Sequence, residues 1–287
     1  MKKTSKKILN FIAILIISAG VLATLYPVIG TYINFSRQTR VVDAYEADIK
    51  NISEVQYDEI MRSAREYNAG ITYNNFSVSD KDAITDEYLK NLNFGKDYLM
   101  GYLIIPTIKV RLAIYHTVEE FALSKGIGHM PQTAFPIGGA GTHSVLTGHT
   151  GLPSSELLTN LIKLSYGDYF AVRIMNEEYW YIVDQIEVVL PDEMELLAIE
   201  DGKDYITLAT CTPYGINSHR LLVRGVATDS PYVEGIKEVE VGNHSNTLIY
   251  LLIAGLIILL TVIHLVRTNM KKRRIKRNKK LAEKYFS

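Results

Sequence analysis

Residues 207–225 read TLATCTPYGINSHRLLVRG, and Cys211 within them is the only cysteine in a chain of 287 residues. The thiol ends an apolar, β-branched run. Pro213, Gly215, Asn217 and Ser218 then make a turn-rich segment, and Arg220 opens a second apolar run. Residue type and bounding turns predict strands over 205–210 and 220–226. The intervening loop brings Cys211 and Arg220 to the same end of two neighbouring strands. If the second strand begins at Ser218, His219 and Arg220 point to opposite faces, so only one can face Cys211. Arginine is the better holder of an oxyanion. A thiol and a fixed cation at one strand end begin an acyl-transfer site that still needs a base.

Two histidines compete for that part. His143 starts a predicted strand, HSVLTG at 143–148, and its alternation with Val145 points to a packed position. His149 follows the strand between Gly148 and Gly151, in a loop at the strand mouth. His116, His129, His219 and His244 have no comparable setting, and His264 lies in an apolar run. An unperturbed thiol is only about 3% ionised at neutral pH, so a neighbouring imidazole is needed to stabilise a thiolate and to protonate a leaving amine. His149, Cys211 and Arg220 are the candidate set. The competing reading is a buried inert cysteine, an idle loop histidine and a solvated arginine paired with a carboxylate.

Outward from this stretch the pattern is mainly β. Strands are expected at 102–105, 110–115, 143–148, 169–174 and 179–189, with a helical turn over 118–123. A helix is expected over 154–164, capped by Ser154 or Ser155, with Leu157, Leu158, Leu161 and Ile162 on one face. Six to eight short strands with one or two connecting helices predict a closed or nearly closed barrel. Before them, Val41, Val42, Tyr45, Ile49, Ile52, Val55, Tyr57, Ile60 and Met61 fall near helical spacing, giving one or two amphipathic helices.

The formal charge of zero conceals an uneven distribution. Residues 1–7 carry four lysines, and 267–287 carry ten Lys/Arg against one Glu. Taken from 31 basic and 31 acidic residues, these leave 17 and 30 in the middle, a net of −13. That excludes a nucleic-acid-binding core. Residues 8–33 and 247–266 contain no Asp, Glu, Lys or Arg, and each is long enough to cross a bilayer as a helix. Their basic flanks place both tails in the cytoplasm and the domain between them outside the cell. A cleaved signal peptide is the alternative for 8–33, whose length favours a retained anchor. The basic tail at 271–280 follows from topology and lipid headgroup contact. The sequence shows neither metal-ligand spacing nor a phosphate-binding glycine pattern, so no metal and no cofactor is expected.

The TLATC run, Arg220 nine residues on and His149 in a Thr-Gly-His setting together resemble the sortase family of Gram-positive surface transpeptidases. The fuller run at 210–225, GHTGLP at 148–153, GIGH at 126–129 and PIGG at 136–139 resemble its pilus-assembling class C branch. The likeness covers roughly residues 91–227. It implies an eight-stranded sortase barrel with short connecting helices, N-terminal helices and a transmembrane helix at each end. His149, Cys211 and Arg220 match the family's catalytic positions. The resemblance also implies cleavage of an LPXTG-like sorting signal after its Thr, a thioester on Cys211, and transfer to a lysine amine of the next pilin subunit.

The expected organisation is a cytoplasmic tail and first span (1–33), an external helical stalk with a lid-like loop (34–90), the catalytic barrel (91–230), a linker (231–246), a second span (247–267) and a basic cytoplasmic tail (268–287). Class C sortases usually carry an Asp-Pro-aromatic lid before the barrel. The best match here is Asn74-Asn75-Phe76, in which Phe76 keeps the aromatic while Asn74 lacks the charge and the proline is missing. An ordinary flexible linker is the other reading of that segment. Rival functions are a sortase that anchors proteins to peptidoglycan, a non-catalytic surface module and a secreted cysteine protease.

Overall fold

The computed structural model describes residues 2–71, 83–94, 98–152, 155–231 and 245–285. The chain divides into two units, one of residues 1–32 with 243–287 and one of residues 33–242. Among the described residues one stretch, Leu15–Ile49, is long and apolar enough to cross a membrane. It belongs to α1 (Lys2–Ile49), a single helix that runs through the expected boundary at residue 33. The second expected span, 247–267, lies within the long helix α5 (Ser245–Tyr285). The proposed lid residues Asn74 and Phe76 lie outside the described residues.

The larger unit is built on eight strands: β1 (Leu99–Ile105), β2 (Val110–His116), β3 (Ile127–His129), β4 (Thr142–Thr147), β5 (Tyr169–Ile174), β6 (Glu177–Val189), β7 (Asp204–Thr212) and β8 (His219–Thr228). They close into a barrel in the order β1-β2-β3-β4-β7-β8-β6-β5. Closure leaves no free sheet edge. The β2–β3 and β4–β7 pairs are parallel and the others antiparallel. Every residue of β1 is buried, because one face fills the barrel and the other lies beneath helices.

The end of α1 and α2 (Glu54–Gly70) form that cover. Ser53 caps α2 in a reciprocal capping box with Gln56. Val42, Tyr45, Ile49 and Met61 are buried against the barrel, as their helical spacing required, whereas Val55 of the same expected stripe is exposed in the first turn of α2. The Tyr45 hydroxyl donates to the Met100 carbonyl at 3.1 Å and accepts from the Met175 N–H at 2.7 Å, tying α1 to two strand ends. A short helix, α3 (Asp86–Lys90), carries Tyr88 into the core.

Two expectations change. Residues 155–164 do not form an α-helix; only Thr159–Lys163 turns, as a 3-10 segment, and Ser154, one of the two expected caps, lies outside the described residues. Leu157 has φ +34°, the Leu158 N–H goes to the His149 carbonyl and the Gly151 N–H to Thr159 Oγ1, so the segment's polar groups serve the loop instead of a helical ladder. Leu157, Leu158 and Leu161 are buried, but Ile162 is 67% exposed. The second change is β3, which the sequence analysis did not predict. At three residues, one of them Gly128, it is too short to show a period.

Candidate active site

At one mouth of the barrel β4 and β7 end and the adjacent β8 begins. Cys211 pairs directly with Arg220 across the antiparallel β7–β8 ladder, and Thr212 pairs with His219. Directly opposed residues project from the same face, so Arg220 shares Cys211's side and His219 does not. On the other flank, β4 runs parallel to β7 with Thr147 opposite Ala209. Beyond the strand the contact continues: Gly148 N–H donates to the Ala209 carbonyl at 3.1 Å, and Thr210 Oγ1 donates to the Gly148 carbonyl at 2.7 Å. His149 is therefore delivered to the level of Cys211. Gly148 permits this approach, because a Cβ there would stand 2.8 Å from Ile127 Cγ2 and 3.0 Å from Leu158 Cδ1.

All three side chains are partly exposed at the mouth, and Cys211 is a free thiol. Among the described residues, the Arg220 guanidinium hydrogen-bonds the backbone carbonyls of His219 (3.2 Å) and Asn217 (3.5 Å) and no carboxylate. The reading of Arg220 as half of a surface ion pair therefore has no partner among them. His149 Nε2 lies 3.1 Å from Glu120 Oε2. Glu120 is on α4 (Glu120–Leu123), the single helical turn expected at 118–123. Nothing in the sequence singled it out, since adjacent glutamates in a short turn read as a solvated face.

The other candidate base is elsewhere. His143, at the far end of β4, is buried; its Nδ1 donates to the Ala198 carbonyl at 2.9 Å and its Nε2 accepts from the Thr207 hydroxyl at 2.8 Å. Burial pulls its pKa down to about 4, so it is a neutral core histidine. His129 is fully enclosed as well. Its Nε2 donates to the Ala134 carbonyl at 2.8 Å, its Nδ1 accepts from the Tyr88 hydroxyl at 3.0 Å, and burial lowers its pKa to about 3. Neither can exchange protons at Cys211.

No group of three or more His, Cys, Asp or Glu side chains able to hold a metal ion occurs among the described residues. A thiol, an imidazole and a guanidinium on three neighbouring strand ends supply what acyl transfer requires: a nucleophile, a proton carrier and a donor aimed at developing negative charge.

Comparison with known proteins agrees with this architecture. The sortase domain family model matches residues 103–228. The crystal structure of sortase C1 from Streptococcus agalactiae is 42% identical, with a TM-score of 0.62 over 67% of this chain and 99% of that one. A sortase C from Streptococcus pneumoniae, whose structure bears on pilin substrate specificity, is 33% identical with a TM-score of 0.60 over 67% and 97%. Sortase A of Bacillus anthracis is 27% identical over 184 residues, covering 64% of this chain and 83% of that protein. With the same eight-stranded barrel and nearly the full length of a class C relative in common, this chain belongs to the sortase family of cysteine transpeptidases.

Proposed function

We propose that this sortase is held in the membrane by its N-terminal helix and joins pilin subunits, with Cys211, His149 and Arg220 as its catalytic residues. The observation that carries the residue assignment is the direct pairing of Cys211 with Arg220 beside β4, the strand that leads into His149. Cys211 Sγ attacks the Thr carbonyl carbon of an LPXTG-like signal, and Arg220 donates to the oxygen that gains charge. His149 protonates the departing amine as the C–N bond breaks, leaving a thioester on Cys211. The incoming lysine amine then attacks the thioester and returns its proton to His149. Cys211 leaves as the thiolate, and an isopeptide bond remains.

Pilin as the substrate is supported by the kinship with sortase C structures, one of which concerns pilin substrate specificity. Anchoring is supported by the apolar stretch Leu15–Ile49 and by the uncharged run at 247–266 inside α5. The basic residues beyond each run support cytoplasmic termini and an external barrel. Asn74 and Phe76 belong to this proposal as a lid over the cleft on sequence grounds alone.

The test uses the full chain in detergent micelles with an LPXTG-type peptide, alone or with a pilin carrying an acceptor lysine. Mass spectrometry follows the thioester and the isopeptide product. A Cys211 adduct that passes to pilin lysine, and is absent from Cys211→Ala, supports polymerisation. An adduct resolved only by cell-wall-type amines moves the assignment to peptidoglycan anchoring. If no adduct forms, even in Phe76→Ala, the catalytic reading fails.

A further inference from the structure

The Glu120 carboxylate is the one acidic group at ion-pair distance from His149 among the described residues, and the backbone turn that carries it is held by packing. The turn that carries it lies on β3: a Cβ at Gly128 would stand 2.1 Å from the Thr117 carbonyl oxygen and 3.2 Å from Leu123 Cδ2. The Glu119 N–H donates to Thr117 Oγ1 at 3.3 Å, and the Leu123 N–H to the Glu119 carbonyl at 3.1 Å. β3 in turn pairs with the end of β4, Gly128 opposite Thr147. Glu120 and His149 are thus delivered to each other by two paired strands, 29 residues apart in sequence.

We propose that Glu120 is a positioning residue for His149: its carboxylate accepts Nε2–H, and Nδ1 is thereby the nitrogen that trades protons at Cys211. This rests on the reading of His149 and Cys211 given above. A neutral imidazole has one N–H and one lone pair, so holding Nε2–H against a carboxylate leaves the Nδ1 lone pair facing elsewhere. When His149 takes up a second proton, the carboxylate stabilises the imidazolium across the same contact. That proton passes from Nδ1 to the leaving amine in the first half-reaction, and the attacking lysine amine returns it in the second. At this end of the neighbouring elements the other charged or titratable side chains include Cys211 on β7, His219 and Arg220 on β8, Glu119 at the N-cap of α4, Lys125 just after it and Glu156 in the segment after His149; Asp204, Tyr205, Arg224 and His143 sit toward the far ends of β7, β8 and β4. Since the Glu120 side chain is 76% exposed, the effect is modest and salt-sensitive.

The test compares Glu120→Gln and Glu120→Ala with the wild-type full chain, reading thioester formation against pH and the 15N resonances of His149. Glutamine keeps an acceptor for Nε2–H and loses the charge; alanine loses both. The pH–rate profiles of both variants are expected to depart from that of the wild type, because the charge beside the imidazole is removed. Alanine is expected to lose a further three- to tenfold in rate, roughly, through lost orientation. In 1 M salt the wild-type and glutamine profiles converge. In the NMR spectrum the wild type shows the Nε2–H tautomer, and Glu120→Ala a mixture. Superposable pH profiles and unchanged resonances overturn the proposal, as does a rate loss that follows melting temperature without a change of profile. A wild-type chain that forms no thioester refutes the catalytic reading instead, and the tautomer in the spectrum still decides the Glu120 contact.

Discussion

Cys211 and Arg220 are direct cross-strand partners on β7 and β8, held opposite each other by a ladder that runs from Tyr205–Val226 to Thr212–His219. The ladder therefore fixes the two backbone positions relative to each other, and the carbonyls of His219 and Asn217 hold the guanidinium. Arg220→Lys keeps the charge but loses the planar fork, and is expected to lower thioester formation by about a hundredfold. Circular dichroism and melting temperature should stay near wild type. Rapid-quench mass spectrometry of the Cys211 adduct checks this.

Thr210 connects the two catalytic strands on the other side. Its hydroxyl donates to the Gly148 carbonyl, one residue before His149, and it is itself buried. Thr210→Val preserves shape and removes the donor, so the predicted cost is about 1–3 kcal/mol of stability. A fall in turnover larger than the stability loss explains is also expected, because the backbone before His149 is released. Denaturant unfolding and steady-state kinetics separate the two.

Gly148 itself has no room for a side chain. Gly148→Ala places a methyl within 3.0 Å of Ile127 and Leu158, and is expected to destabilise by about 1–3 kcal/mol. The strain falls between β3 and the loop that carries His149. Activity should therefore decline at temperatures where the wild type is fully folded. A thermal activity curve beside a melting curve tests it.

Acid should unfold the barrel through its buried histidines. His129 and His143 have pKa values lowered by burial to about 3 and about 4, and His116 is lowered in the same direction. In the unfolded chain each titrates near pH 6.5. Their depressed values mean that full stability is present above about pH 6.5 and is lost as pH falls toward the folded values. In that window the unfolded chain binds more protons, and His129 and His143 each contribute a slope of about 1.4 kcal/mol per pH unit, with His116 adding in the same direction. Denaturant midpoints measured from pH 7 to pH 4.5 should fall accordingly, and His143→Gln should flatten the slope.

Tyr45 is predicted to hold α1 to the barrel. Tyr45→Phe keeps the ring contacts with Phe94 and Tyr102 but leaves the Met100 carbonyl and Met175 N–H without their partner. The expected cost is about 1–3 kcal/mol, with faster hydrogen exchange at Met100 and Met175.

The sequence by itself determined the elements whose signals are local. β5 was legible to the residue, because β-branched and aromatic residues between turn residues have few alternatives to a strand. The apolar stripe through Val42, Tyr45 and Ile49 announced a buried helical face. The TLATC run, Arg220 and the two candidate histidines were visible as chemistry, and the sorting-enzyme resemblance followed from their spacing. Only the tertiary structure decided how they meet. His149 and Cys211 are 62 residues apart, and the parallel β4–β7 register, which no local period encodes, sets one beside the other and buries His143 six residues earlier. The segment 155–164 gives up its helix to hydrogen bonds with the loop at 149–151, while the three-residue β3 and the arrival of Glu120 at His149 are likewise consequences of barrel closure. Each residue there takes its conformation from a neighbour distant in the chain, because paired backbone and excluded volume outweigh the weak preference of a few residues for their own local structure.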